Sequence, residues 1–290
     1  MKDLTVFILT HNRKELLLET IQSILHQTCH DFKLVISDNS TDNKTFDLLV
    51  EKKLLDKLEY RKRDKEYSPF DHFNLCLSEV KTKYFILFHD DDIMMPNMIQ
   101  TLYDVINESA YMAVGCNCFF IHANKITNKK MMKECVNVVL TNNTDLFNQY
   151  YKCSIVPYPS YIYNKNMIGE MYFVENAGKY SDVVTLSNWL EKGKMYWISK
   201  PLFYYRLHSS QSSAQYSYRE QLKLIKVFNN RVQDKKIMRK YRLQQLYRNT
   251  VYQRLFYNRK DIFAVRILRK ESLFNFYLKY LIKVAFLKTM

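Results

Sequence analysis

An apolar run, Tyr84-Phe85-Ile86-Leu87-Phe88, gives way after one residue to three adjacent carboxylates, Asp90, Asp91 and Asp92. An unbroken apolar run of this length is the pattern of a strand buried on both faces, as in a parallel sheet covered by helices. The carboxylates then emerge at the strand's carboxyl end, the edge where open α/β sheets bind ligands. Three packed like charges repel one another unless a cation neutralises them. Carboxylate oxygens suit Mg²⁺ or Mn²⁺, typically shared with a substrate phosphate. The competing reading is an acidic turn capping a helix that starts near Pro96.

The flanking sequence repeats this strand-then-polar pattern. Leu4–Leu9 reads as an apolar strand that turns at Thr10-His11-Asn12-Arg13. Leu16, Leu17, Thr20, Ile21, Ile24 and Leu25 follow at helical spacing. Phe32–Ser37 reads as a second strand, ending at Asp38-Asn39-Ser40, with a helix from Asp42 through Leu49. Leu58–Arg61 reads as a third strand and Phe70–Val80 as a helix started by Pro69. Tyr84–Phe88 is then the fourth strand and Pro96–Ile106 the next helix. This alternation predicts a mostly parallel, Rossmann-like sheet with helices on both faces. In such a sheet Thr10–Arg13, Asp38–Ser40 and Asp90–Asp92 share one edge.

From Met112 the pattern changes. Ala113–Ile121 and Tyr158–Tyr163 read as strands, and Ser181–Glu191 as a helix. Tyr196–Ser199 and Leu202–Leu207 read as a short strand pair, and 125–145 as a polar surface loop. Beyond about Ser217 the chain turns helical, with neither Gly nor Pro. The expected division is a domain over 1–215, with a nucleotide-binding half (1–110) and an acceptor-binding half (111–215), and a basic amphipathic helical tail over 216–290.

Composition narrows the function classes. Only four glycines occur in 290 residues, and neither a P-loop nor a dinucleotide fingerprint is present. The formal charge is +15. Residues 219–290 hold 19 of the 44 Lys/Arg and 4 of the 29 Asp/Glu, which leaves 25 of each sign elsewhere. The whole basic excess therefore lies in the tail, the signature of a segment that seeks an anionic surface. Leu222, Ile225, Lys226 and Asn229 suggest one amphipathic helix, and Leu273–Leu287, with Lys279 and Lys283 four residues apart, fits a helix lying in a membrane interface. Packing of these helices on the body or on another subunit is the alternative. Nucleic acid is the rival partner, but no RNA-binding module signature is visible. The six cysteines lack zinc spacing and read as reduced core thiols. No signal peptide and no apolar stretch of eighteen residues is seen, so the expectation is a cytoplasmic protein.

These motifs, in this order, resemble the glycosyltransferase family 2 pattern: strand-Thr-His-Asn-Arg, Val-Ile-Ser-Asp-Asn-Ser-Thr-Asp, and Phe-His-Asp-Asp-Asp-Ile-Met-Met-Pro. The resemblance covers about residues 3–210 and implies a GT-A fold. It further implies inverting transfer of a sugar from a nucleotide donor, usually UDP-linked, with Mg²⁺ or Mn²⁺. By position, Thr10, His11, Asn12 and Arg13 would line the nucleotide pocket, and Asp38 would contact uracil or ribose. Asp90 would sit against the ribose and Asp91 would hold the metal, with Asp92 and His208 as further ligands. Counted back from Pro96, the family's usual first acidic position falls on His89, which leaves open which of the three aspartates is the direct ligand.

Tyr180-Ser181-Asp182 resembles the segment that carries the general base; inversion needs one carboxylate to take the acceptor's proton. Asp182 can equally be a helix N-cap. Leu202-Phe-Tyr-Tyr-Arg-Leu-His208 resembles the family's Tyr-Arg-x-His ending, where Arg206 and His208 would stabilise the leaving diphosphate. The resemblance implies a lipid-linked or other glycan acceptor, in bacterial surface polysaccharide or lipooligosaccharide synthesis. The enzyme would be peripheral on the cytoplasmic face of the inner membrane. A sugar nucleotidyltransferase, or a non-catalytic membrane scaffold with a degenerate site, are the alternatives.

Overall fold

The computed structural model describes residues 2–152, 160–170, 172–174, 178, 180–207, 217–257 and 266–267. The chain divides into two compact units, 1–215 and 216–290.

The first unit opens with β1 (Leu4–Thr10), α1 (Lys14–Leu25), β2 (Lys33–Asp38), α2 (Lys44–Glu51) and β3 (Glu59–Lys62). It continues with α3 (Pro69–Ser78), β4 (Tyr84–His89), β5 (Ile93–Met94) and α4 (Met98–Asn107). Every residue of β1 is buried, as are all of β4 but His89, because helices cover both faces of these central strands. On one face Leu4, Val6, Ile8, Ile86 and Phe88 pack with Leu17, Ile21 and Ile24 of α1 and Leu102 and Ile106 of α4. On the other face Phe85 stacks on Tyr163, and Phe73 of α3 packs near His89. α3 begins as the sequence dictates: Pro69 takes the first turn and Ser68 Oγ accepts from Asp71 N. α4 begins two residues later than expected; Pro96 stays outside it, its carbonyl accepting from Thr28 N at 2.7 Å.

After α4 come β6 (Ala113–His122), β7 (Lys125–Lys130), β8 (Val138–Leu140), α5 (Asn143–Tyr151) and β9 (Tyr161–Asn164). α6 (Lys165–Ile168), α7 (Ser181–Trp189) and β10 (Met195–Leu207) complete the unit. The described strands form one sheet of order β3-β2-β1-β4-β9-β6-β10-β5, with β7 on β6 and β8 on β10. β3, β2, β1 and β4 are mutually parallel; β9 runs against both β4 and β6 and so joins the two halves. Gly115 permits this junction, since a Cβ there would lie 2.5 Å from the Tyr161 ring and 2.8 Å from Trp197.

Three expectations for the second half are corrected. The supposed strand pair over 196–207 is one strand, whose register against β6 shifts around Pro201; the proline interrupts the ladder without ending it. The segment 125–145 is not a loop but carries β7, β8 and the start of α5. β7 is polar because it is an edge strand, where lysines deter further pairing. Among the cysteines, Cys76, Cys116 and Cys118 are buried, whereas Cys135 is exposed and thus no core thiol. Cys153 lies outside the described residues, as does the first part of the strand expected over Tyr158–Tyr163.

The second unit contains α8 (Tyr218–Arg231) and α9 (Lys235–Tyr257), which pack together. Ser217 and Asp234 side chains accept from the first-turn amides of α8 and α9. The buried positions of α8 are Gln221, Leu224, Ile225 and Phe228; Leu222, one of the residues that suggested an amphipathic helix, is exposed. No described helix is long and apolar enough to cross a membrane. Leu273–Leu287 lies outside the described residues.

Candidate active site

Register alone assembles the site. Thr10 is the partner of Asp38 across β1 and β2, and Leu9 is the partner of His89 across β1 and β4. The three polar strand ends therefore meet at one edge. Thr10 Oγ1 donates to Asp90 Oδ2 at 2.7 Å, joined by His11 N at 3.3 Å. Asn12 adopts a left-handed backbone (φ 57°), which an Asn tolerates well. Its N–H donates to Ser40 Oγ at 2.8 Å and its Oδ1 accepts from Thr41 N, so the first two loops are tied together. Asn12 and Arg13 line a recess of about 380 Å³ with Thr41 and Thr45.

Asp38 is fully buried. One oxygen accepts from Ser40 N at 2.9 Å and the other from Tyr60 OH at 2.7 Å, with Lys62 Nζ at 3.4 Å. Arg13 is drawn to the acidic loop, its Nη1 lying 3.0 Å from Asp91 Oδ2 and 3.4 Å from Asp90 Oδ1. The His11 side chain instead faces outward, 3.0 Å from Glu66.

The three aspartates are all buried, and their charges are held at a cost. Burial, with Asp91 beside it, pushes Asp90 up to about 6 despite the Thr10 and Arg13 contacts. Burial and the same neighbour drive Asp92 well above the ordinary carboxylate range. Partial burial lowers His89, which favours the neutral imidazole that ligates metals. Ligand atoms of His89, Asp91 and Asp92 lie within 4.8 Å of one another. His89 Nδ1 is 4.0 Å from Asp91 Oδ1 and 3.8 Å from Asp92 Oδ2. Asp92 Oδ2 is buried and has no hydrogen-bond partner among the described residues. A nitrogen and two carboxylates around an unsatisfied buried oxygen fit a hard divalent cation. His89, noted in the sequence only as a departure from the usual spacing, thus stands beside the two aspartates as a candidate ligand.

The loop that carries these groups is held by residues that no motif contains. Thr20 Oγ1 donates to the Asp92 carbonyl at 2.8 Å, Ser23 Oγ accepts from Met94 N, and Gln27 Nε2 donates to the Met95 carbonyl at 2.7 Å. Gln27 Oε1 then accepts from Ile99 N at 3.0 Å. Thr20 and Gln27 are fully buried polar residues on the inner face of α1 and the turn after it. Their spacing, with Ser23 between, was the available signal: three polar side chains along one stripe of an otherwise apolar helix face.

In the second half, Asp182 stands at the second position of α7, after Tyr180 as N-cap, so the N-cap reading is replaced. Burial pushes its carboxyl up to about 7, against two backbone hydrogen bonds that lower it. The segment before α7 is pinned to α3 by a paired amide contact: Phe173 N donates to Asn74 Oδ1 at 2.7 Å and Asn74 Nδ2 to the Phe173 carbonyl at 3.1 Å. Arg206 is buried on β10, and its guanidinium faces Glu19, Asn124 and the Asp91 carbonyl. His208 lies outside the described residues.

A strand-edge site of this kind is shared by many α/β proteins, so comparison with known proteins is decisive. The family model described as "Glycosyl transferase family 2" matches residues 5–171, more than half of the chain. The chain belongs to glycosyltransferase family 2. A curated member of similar sequence is Glycosyltransferase GlyG of Streptococcus pneumoniae serotype 4, 20% identical over 241 residues covering 80% of each protein. In structure this glycosyltransferase is similar to S. aureus TarS 1–349 in complex with UDP-GlcNAc. The TM-score is 0.64 at 18% identity, over 87% of this chain and 74% of that one. It is also similar to mannosyltransferase PcManGT from Pyrobaculum calidifontis in complex with GDP-Man and Mn²⁺. There the TM-score is 0.59 at 14% identity, over 98% and 83% of the two chains. The fold is therefore GT-A, and the glycosyltransferase is an enzyme of the transferase class.

Proposed function

We propose that this enzyme transfers a sugar, with inversion, from a UDP-linked donor to a glycan or lipid-linked glycan acceptor. The observation that carries the reading is the gathering of Asp38, Asp90, Asp91, Asp92 and His89 at one sheet edge. UDP-GlcNAc bound to TarS and GDP-Man bound to PcManGT support a nucleotide-sugar donor. Asp38, buried and held by Ser40 N and Tyr60 OH, fixes the strand end where a base or ribose would bind. Thr10 and the His11 amide fix Asp90 for the ribose side of the pocket.

Asp91, Asp92 and His89 would hold Mn²⁺ or Mg²⁺, with His208 as a further candidate. The Mn²⁺ in PcManGT and the cluster geometry support this. Such an ion supplies charge stabilisation to the leaving diphosphate. Arg13 adds a second positive charge beside Asp90 and Asp91. Asp182 is the general base: its carboxyl, raised to about 7, takes the acceptor hydroxyl's proton at neutral pH as that oxygen attacks the anomeric carbon. The sugar–phosphate bond breaks on the opposite face, so no covalent enzyme intermediate is needed.

The pathway we propose is bacterial surface polysaccharide or lipooligosaccharide synthesis, with the enzyme peripheral on the cytoplasmic membrane face. The exposed Arg219, Lys223 and Lys226 of α8 and Lys235, Arg239 and Arg242 of α9 support attraction to anionic lipid.

The test is a thermal-shift series with UDP-, GDP- and dTDP-sugars, each with and without Mn²⁺, followed by nucleotide release from any sugar nucleotide that binds. A UDP-sugar should raise the unfolding midpoint more with Mn²⁺ than without, and Asp91→Ala should abolish the difference. Stabilisation by a GDP- or dTDP-sugar alone would overturn the donor assignment. Binding without turnover, across acceptors, would favour a non-catalytic scaffold.

A further inference from the structure

Arg206 meets the acidic loop through main chain and side chain together. Its N–H donates to Asp92 Oδ1 at 2.9 Å, and its Nε donates to the Asp91 carbonyl at 2.8 Å. The two remaining guanidinium nitrogens are engaged elsewhere. Nη1 lies 3.3 Å from Asn124 Oδ1, at the β6–β7 turn, and Nη2 lies 2.5 Å from Glu19 Oε2 on α1. The Arg206 side chain is 8% exposed and that of Glu19 51%. A buried guanidinium is thus met by a carboxylate that reaches in from the surface. Glu19 belongs to no motif of the sequence, and it meets the acidic loop by way of Arg206.

We propose that Glu19 and Arg206 form a strut that sets the position of the Asp91 main chain relative to the Asp92 carboxylate, and through it the affinity of the His89–Asp91–Asp92 cluster for a divalent cation. The inference rests on the metal reading given above. Two physical effects act in the same direction. The main-chain N–H of Arg206 holds the Asp92 carboxylate, and its planar fork keeps Nε on the Asp91 carbonyl only while the far end of the fork is anchored. Glu19 also offsets the guanidinium charge by direct contact. Without Glu19 more of that positive charge acts on the cluster and opposes an incoming cation. Both Glu19 and Arg206 are positioning residues in this scheme, and Thr20 completes the support from α1 by holding the Asp92 carbonyl.

The experiment titrates Mn²⁺ into the full chain, with the free ion followed by electron paramagnetic resonance, and pairs each titration with a thermal unfolding curve. Outer supports of metal ligands typically change affinity by about 10- to 100-fold. Glu19→Ala should therefore weaken Mn²⁺ binding at least about tenfold. Glu19→Gln retains an acceptor oxygen for Nη2 without the charge and should fall between Glu19→Ala and the parent protein. Mn²⁺ affinity unchanged in Glu19→Ala overturns the strut. If Glu19→Ala fails to fold, Glu19→Gln decides, and unchanged affinity there overturns it equally. Absence of Mn²⁺ binding by the parent chain overturns the metal reading, and this inference with it; normal binding in both proteins removes the strut alone.

Discussion

Asp182 couples stability and chemistry through one proton. Its folded-state value, about 7, lies above the ordinary carboxylate value because burial disfavours the charge. The sign follows from linkage: the folded chain binds this proton more tightly than the unfolded chain. The group therefore opposes folding progressively as pH rises from about 4 to about 7, and fully above that. Asp182→Asn keeps the shape and removes the charge. Its unfolding midpoint should exceed that of the parent at about pH 8 and approach it at about pH 5. In the same range kcat/KM of the parent should rise with pH and level off above about 7, while the variant stays inactive. A flat pH profile, or equal midpoints at both pH values, would show that Asp182 is neither the base nor a buried charge. The acidic residues were readable from sequence because a charge beside an apolar run is conspicuous. Glu19 was not, because an isolated polar residue in a helix carries no mark of the distant group it bonds; Thr20 and Gln27 left only the faint sign of a polar stripe with Ser23, which does not say what the stripe holds.

At the level of elements, the parallel half was legible because its strands are buried on both faces and its helices amphipathic, so each announces its own period. The second half was not. β7, Lys-Ile-Thr-Asn-Lys-Lys, carries the polarity of a loop because it lies at a sheet edge, and Pro201 imitates a strand end although β10 continues through it. The turn between β6 and β7 is a two-residue hairpin, with His122 paired to Lys125. Ala123 and Asn124 both have positive φ, 47° and 59°. Such turns favour Asn and Gly, and an alanine there is strained by about 1–2 kcal/mol. Ala123→Gly removes that strain and adds chain entropy to the unfolded state, about 0.5–1 kcal/mol in the other direction. The net expectation is a gain of about 0.5–1 kcal/mol, read as a higher denaturation midpoint with an unchanged slope. A lower midpoint would mean that the turn does not adopt this conformation. Because Asn124 Oδ1 accepts from Arg206, the same turn reaches the catalytic edge.

Over the whole molecule, charge is segregated more sharply than structure. Residues 217–257 alone hold 11 Lys/Arg and 2 Asp/Glu. On α8 the exposed Arg219, Lys223 and Lys226 recur at helical spacing beside the exposed Leu222, so the helix presents cations and an apolar side chain together. That combination suits the boundary of an anionic bilayer, where long lysines stretch toward headgroups and a leucine enters the acyl edge. Each basic side chain near such a surface contributes roughly 1 kcal/mol, screened beyond a Debye length of about 8–10 Å. Reversal of two of them in Lys223→Glu/Lys226→Glu should therefore weaken partitioning onto vesicles rich in phosphatidylglycerol by at least about 2 kcal/mol, roughly thirtyfold. Co-sedimentation measures it. Binding by the parent should fall steeply with added salt and be weak on phosphatidylcholine alone. Turnover of a water-soluble acceptor should be the same in variant and parent, because the catalytic edge belongs to the first unit. Equal partitioning of parent and variant, or equal binding to neutral vesicles, would mean that the basic face serves another purpose. Retention on single-stranded nucleic acid at physiological salt, with no vesicle binding, would identify that purpose as phosphate-backbone recognition.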